Sequence, residues 1–132
     1  MNNQTDPIFG DVIHAYSRAE ALEDGVLVDA GMMAQEAGLK WPVALTRGVW
    51  AAYVEVPPGV QGQNETGRLW DILWMAAFAA RKTVRGGREL LFSLHVRNDN
   101  RDRTPPLRRL KMVSGPGDDG EPVLTILLPE ED

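Results

Sequence analysis

Positive charge is concentrated in one short part of this chain. Residues 96–111, VRNDNRDRTPPLRRLK, hold six of its fourteen lysines and arginines, although the whole chain carries a formal net charge of -5. Clustered lysine and arginine neutralise phosphate groups, so the cluster predicts an anion-binding or nucleic-acid-binding surface. Residues 112–132 hold six acidic side chains and no basic one. The alternative interpretation is therefore that the acidic ends of this C-terminal segment, the loop GDDGE and the tail PEED, neutralise the basic cluster within the molecule.

A second chemically suggestive stretch is acidic. Residues 115–122, GPGDDGEP, bring together the carboxylates of Asp118, Asp119 and Glu121, and carboxylate oxygens are the ligands that divalent cations such as calcium prefer. The ligand spacing of a calcium-binding loop is missing. Asp119-Gly120 is instead typical of a hairpin turn that requires a positive φ. We therefore interpret this stretch as a turn, with a cation site as the alternative.

A third candidate centre is a lone histidine. His14 could share a pocket with Tyr16 and Asp29, and either this pocket or the Asp118/Asp119 loop would be the place for a small enzyme's active site. His14 has no second histidine at metal-ligand spacing, so a structural role is favoured. The chain has no cysteine, and it lacks a nucleophile elbow, a P-loop and a dinucleotide-binding glycine motif. The sequence thus predicts no catalytic residue, no metal and no cofactor.

The elements that position these residues are predicted to be helical in the first two thirds of the chain and stranded in the last third. Ser17 and Glu20 have the spacing of a capping box, which predicts a short helix that ends at Gly25. A short strand at residues 26–28, a helix at 32–37 and a further helix capped by Thr46 follow. The strongest helical pattern covers residues 65–84.

Three segments near the C-terminus alternate apolar and polar residues, as strands do. They cover residues 89–97, 107–114 and 122–128, and they predict a three-stranded antiparallel sheet. We therefore expect an α+β, two-layer domain spanning residues 1–132, in which a long central helix packs on this C-terminal sheet. The alternation places one basic set on the outward sheet face, beside a basic loop. The face carries His95, Arg97, Arg109 and Lys111, and the loop carries Arg101, Arg103 and Arg108.

The helix over residues 65–84 has apolar residues on more than one face, which predicts a position in the middle of the core. We expect Trp70, Leu73 and Trp74 to be buried there together with Phe92. Met75 and Phe78 interrupt what should be the polar face of this helix. Either another element covers these two residues, or they form a patch that binds a protein partner.

Composition indicates an ordinary globular chain. It has 132 residues, of which 43% are hydrophobic and 25% charged, which is enough to build one core. The N-terminus lacks the basic start and apolar stretch of a signal peptide, and the longest apolar run, residues 72–80, is too short to cross a membrane. We therefore expect a cytoplasmic protein without membrane association.

Three stretches resemble a family of small uncharacterised acidic bacterial proteins associated with plasmids, prophages and integrative elements. They are WPVALTRGVW, GRLWDILWMAAFAAR and GPGDDGEPVLTILLPEED. The resemblance implies a mobile-element setting and an accessory role, and it transfers no catalytic residue. We expect a non-enzymatic protein that binds another macromolecule, most simply a protein. The alternatives are a nucleic-acid-binding protein that uses Arg97, Arg109 and Lys111, and a small enzyme of unknown reaction.

Overall fold

The computed structural model describes residues 16–83 and 87–132, and it shows an α+β fold. All bounds below are those of the structure. The helices are α1 (Arg18–Glu23), α2 (Met32–Ala37), α3 (Arg47–Val49), which continues as a π-helical turn (Trp50–Val54), and α4 (Glu65–Lys82). The strands are β1 (Leu27–Asp29), β2 (Val43–Thr46), β3 (Glu89–His95), β4 (Leu107–Pro116) and β5 (Pro122–Leu127).

Polar side chains at the helix starts explain why these helices begin where they do. The Ser17 hydroxyl accepts from the Glu20 amide at 3.0 Å, and the Glu20 carboxylate accepts from the Ser17 amide at 2.9 Å, which completes the predicted capping box. Thr46 caps α3, as predicted, and the Asn64 side chain accepts from the Gly67 amide at 2.7 Å at the start of α4. These bonds satisfy amides that a helix cannot pair internally.

The five strands form one sheet in the order β1-β2-β5-β4-β3. β2 runs parallel to β5, and all other neighbours are antiparallel. The turn between β4 and β5 contains Gly120 at a φ of 84°, which confirms the predicted use of glycine in a hairpin turn.

The predicted architecture is wrong in the sheet and in the role of the helix. The three C-terminal strands do pair antiparallel, but β1 and β2 join them, so the sheet has five strands of mixed direction rather than three antiparallel ones. The helices other than α4 have three to six residues. α4 has 18 residues, and it is not a central helix, because one of its sides faces solvent.

The core lies between α4 and one face of the sheet. Leu73 and Ile72 of α4 are fully buried, as are Leu110 of β4 and Ile126 of β5, and Phe92 of β3 is 6% exposed. The expected burial of Leu73 and Phe92 is confirmed. The expected burial of Trp74 is wrong: 45% of this residue is exposed. Trp70 is half-buried and packs against the edge of the core.

No helix within residues 16–83 and 87–132 is both long and apolar enough to cross a membrane.

Candidate functional site

The exposed side of α4 carries a line of aromatic residues, Trp70, Trp74 and Phe78, which we call the aromatic strip. Residues four apart lie on one face of a helix, so these three rings follow one another along it. The rings of Trp70 and Trp74 are stacked with their centroids 5.9 Å apart. Trp74 is 45% exposed and Phe78 39% exposed. An exposed apolar patch with charged residues at its rim is typical of a surface that binds another protein.

Cations cover the strip at the C-terminal end of α4. The Arg81 guanidinium lies 5.6 Å from the centroid of the Trp74 ring, and the Lys82 ammonium lies 4.7 Å from that of Phe78. Both contacts have the geometry of a cation–π interaction, and both cations sit where the helix dipole favours positive charge. Asp71 lies toward the other end of the strip. Burial raises the pKa of its carboxyl above the usual value, although the positive charge of the nearby Arg68 opposes this shift. The strip is thus positive at one end and negative at the other.

A groove of about 320 Å³ separates the aromatic strip from the sheet. Trp74 and Met75 form its helix side, Ser93 and His95 form its strand side, and the exposed side chain of Leu107 extends it onto β4. Leu107 is 59% exposed. The groove is therefore an open, mostly apolar surface between α4 and the outer strand of the sheet.

The predicted protein-partner patch, Met75 and Phe78, is split by the fold. Phe78 is exposed, whereas Met75 is half-buried and packs against the core. Trp74 takes the more exposed position, although its large apolar side chain predicts burial. The spacing of Trp74 indicates this exposure. Trp74 is three residues after Asp71 and four before Phe78, and both of these residues belong to the polar face of the helix.

The predicted basic sheet face is only partly present. The register of β3 and β4 places His95, Arg109 and Lys111 on one face, as expected, and His95 and Arg109 are exposed. Lys111, however, is 9% exposed, and its ammonium lies 3.9 Å from a Glu89 carboxylate oxygen. Arg97 follows the end of β3, and its guanidinium donates to the Asp99 and Arg103 carbonyls at 3.2 and 2.9 Å. Arg97 therefore holds its own loop together.

The basic loop residues point in different directions. Arg101 lies 3.6 Å from a carboxylate oxygen of Asp99, and Arg103 is exposed. Arg108 pairs with Leu94, a core-facing position, so it emerges on the opposite sheet face from Arg109. These exposed arginines surround the loop rather than form a flat array.

The acidic ends of the chain contact other parts of the protein. A Glu131 carboxylate oxygen accepts from the Thr46 hydroxyl at 2.7 Å and from the Leu128 amide at 2.8 Å. Asp118 accepts from the backbone amides of α1. Within residues 16–83 and 87–132, neither end pairs with the basic loop. Neutralisation of the basic loop within the molecule therefore stays a prediction, and this part of the chain shows no ion pair that provides it by direct contact.

Asp118 holds the start of α1. Its two carboxylate oxygens accept from the Arg18 and Ala19 amides at 2.8 and 3.0 Å, and negative charge is favourable at a helix N-terminus. The Arg18 side chain also connects α1 to the sheet. Its guanidinium donates to the Thr125 hydroxyl and the Leu124 carbonyl of β5 at 2.8 and 2.7 Å. Among the described residues, no three acidic or histidine side chains are grouped to hold a metal ion.

We expect Asp118→Asn to destabilise the protein by about 1 kcal/mol, because it removes the charge that caps α1. Asp119→Asn is the matched control, since the Asp119 amide donates to Glu121 at 2.9 Å while its side chain caps no helix. Thermal unfolding of both variants measures the difference. Millimolar calcium or magnesium should leave the wild-type Tm unchanged, and a saturable rise would contradict the structural role of this loop.

The predicted His14 pocket falls partly outside the described residues, which begin at Tyr16. The Tyr16 hydroxyl donates to a carboxylate oxygen of Asp24 at 2.6 Å, and this bond raises the pKa of Tyr16 to about 12. Asp29 accepts from the Gly31 amide at 3.0 Å. Tyr16 and Asp29 thus have separate hydrogen-bond partners, and the pocket that they would share with His14 stays a prediction.

Comparison with known proteins gives one result. No curated protein and no solved structure matches the chain. A family model matches residues 1–132 over their whole length. The chain therefore belongs to the Family of unknown function (DUF6573).

Proposed function

We propose that this protein is a non-enzymatic accessory protein that acts by binding another protein through the aromatic strip and the adjoining groove. The exposure of Trp74 and Phe78 carries the proposal. Tryptophan and other aromatic residues are enriched at the centres of protein interfaces, where a few of them supply most of the binding energy.

The charges around the strip indicate what kind of surface would fit it. Arg81 and Lys82 lie over the rings at one end, and Asp71 lies toward the other end. A fitting partner has an apolar centre, acidic groups that meet the two cations and a basic group that meets Asp71. The resemblance to proteins of plasmids, prophages and integrative elements supports an accessory role in such an element.

Nucleic-acid binding is the second candidate function. The observation that favours it is the exposure of Arg101, Arg103, Arg108 and Arg109 around one loop, since such residues bind phosphates without regard to sequence. The burial of Lys111 and the use of Arg97 within the loop reduce the continuous surface available to a strand. Protein binding is therefore the better supported function.

Capture from an extract of the native host should distinguish the two functions. Immobilised wild-type protein is expected to retain a protein after nuclease treatment, and Trp74→Ala combined with Phe78→Ala should lose it, because the double variant removes the centre of the surface. Met32→Ala is the matched control, since Met32 is 75% exposed and belongs to α2 rather than to the strip.

Two outcomes would contradict the proposal. Recovery that nuclease abolishes, and that Arg103→Ala with Arg109→Ala also abolishes, would favour nucleic-acid binding. Capture that survives in the Trp74/Phe78 double variant as well as in the Met32 control would place the binding surface elsewhere.

A further inference from the structure

The outer edge of β3 is open in the part of the chain that the structure describes. β3 ends the strand order, and none of the described strands pairs with its other side. It is seven residues long, contains no proline, and exposes Leu91 by 51% at its centre. Proteins normally protect such edges with short strands, proline, bulges or central charges, because an open edge pairs readily with another strand.

Alternation in the ladder shows which backbone groups face outward. The Ser114 amide donates to the Arg88 carbonyl at 2.8 Å, and the Val96 amide donates to the Pro106 carbonyl at 3.0 Å. The even-numbered residues of β3 therefore bond to β4. The amides and carbonyls of Glu89, Leu91, Ser93 and His95 point to the open side.

We propose that the partner is a second copy of this chain, which pairs with β3 antiparallel about a twofold axis beside Phe92. This inference rests on the proposed function, because it names the protein bound at the same surface. In this register Leu91 lies opposite Ser93 of the second copy, and Glu89 lies opposite His95. Each of these pairs exchanges two backbone hydrogen bonds. The five-stranded sheet becomes continuous across the two copies.

Charge complementarity favours this occupant. Glu89 and His95 are both exposed, at opposite ends of the strand, so antiparallel pairing brings the carboxylate of one copy to the imidazole of the other. The His95 Nδ1 lies 2.8 Å from the Pro105 carbonyl, which leaves Nε2 available to face Glu89. Parallel pairing would lack this match, because both strands would then run in the same direction. Glu89 of both copies would lie at one end of the interface and His95 of both copies at the other.

The same twofold axis also makes α4 complementary to itself. Trp74 and Met75 line a groove with Ser93 and His95, whereas Ala80 lines another with Glu89 and Leu90, so α4 runs antiparallel to β3. The middle of the helix, residues 76–77, therefore lies beside Phe92. Rotation about the axis turns Trp74 toward Phe78 of the second copy, so apolar groups meet apolar groups there. Arg81 takes no part in this contact, because its guanidinium lies beside Gly38 of α2.

Sedimentation equilibrium on the full chain tests whether the pair exists. The expected result is a mass twice that of the 14.6 kDa chain. Ser93→Pro should shift the protein toward monomer, because it removes an outward amide and blocks the edge while leaving the bonds to β4 intact. A wild-type protein that stays monomeric at hundreds of micromolar would overturn the inference.

Cross-linking tests the register, and the chain suits this experiment because it contains no cysteine. Directly opposed residues that exchange hydrogen bonds have Cα atoms about 5.5 Å apart, within disulfide range. A mixture of Leu91→Cys and Ser93→Cys proteins should therefore form a disulfide-linked dimer on oxidation. Either variant alone should form much less. Efficient linking of Leu91→Cys to itself, or no linking in the mixture, would overturn the proposed pairing.

A charge exchange separates specific pairing from general association. His95→Glu should raise the dimer Kd at least about tenfold, because it places two carboxylates opposite each other at both ends of the interface. His95→Lys should instead keep the wild-type Kd or lower it, because it presents an ammonium to Glu89 of the second copy and leaves the Glu89–Lys111 pair of its own chain intact. A loss as large as that of His95→Glu would overturn the Glu89–His95 contact. If the protein is a monomer and still captures a protein from host extract through Trp74, the proposal that the partner is a second copy is wrong and the proposed function stands. A monomer without such capture would overturn both.

Discussion

Replacing Arg68 with methionine is expected to destabilise this protein by about 3 to 5 kcal/mol, although Arg68 touches neither the aromatic strip nor the centre of the apolar core. Arg68 is 5% exposed. Its guanidinium donates to the Val54 carbonyl at 3.2 Å, to the Arg97 carbonyl at 2.5 Å and to the Asn98 side chain at 2.6 Å. Methionine fills much of the volume but leaves these acceptors without a donor.

The cost is large because one side chain joins three segments. Arg68 lies in the first turn of α4, Val54 ends the π-helical turn, and Arg97 and Asn98 begin the loop after β3. The Asn98 side chain also donates to the Ala52 carbonyl at 3.0 Å. Each buried acceptor that loses its partner costs about 1 to 3 kcal/mol. Loss of Arg68 therefore loosens the loop that carries the exposed arginines as well.

Urea unfolding followed by circular dichroism measures this effect. Arg47→Met is the matched control, because Arg47 is exposed on α3, and it should change the free energy of unfolding by no more than about 0.5 kcal/mol. Arg68→Lys should remain clearly destabilised, since an ammonium cannot reproduce the forked donors of a guanidinium. Full stability of Arg68→Lys would mean that charge alone, rather than the hydrogen bonds, accounts for the contribution of Arg68.

Local patterns in the sequence predicted the elements better than their arrangement. The capping box at Ser17, the Thr46 cap and the alternation in β3, β4 and β5 each depend on neighbouring residues, and each is present. β2 was missed because its four residues follow Pro42 as a short apolar run without alternation. Its parallel pairing with β5 joins residues about eighty positions apart. A short buried strand of this kind carries no periodic signal.

The candidate site was partly predictable for the same reason. The Met75/Phe78 interruption of the polar face points to the side of α4 that is exposed, whereas the hydrophobicity of tryptophan wrongly predicts a buried Trp74. Alternation correctly places Lys111 on the outward face of the sheet. It does not reveal that the Lys111 side chain is buried there. The partners of Arg68 come from two segments distant in sequence, and no local pattern identifies them.

Leu73→Ala is expected to destabilise the protein by about 2 to 5 kcal/mol, whereas Trp74→Ala, one residue further along α4, should cost only about 1 kcal/mol. Leu73 is fully buried between α4 and the sheet, so its truncation loses apolar contacts and leaves a cavity. Trp74 is 45% exposed, and its main loss is the stacking contact with Trp70.

Urea unfolding of both variants beside wild type measures the contrast. The difference between these neighbours also decides how the binding experiments are interpreted, because Trp74→Ala can report on binding only if the protein stays folded. Equal destabilisation by the two substitutions would place Trp74 in the core and remove the residue on which the aromatic strip depends. A small cost at Trp74 together with a large one at Leu73 would separate the two faces of α4, one that holds the fold together and one that remains free to bind.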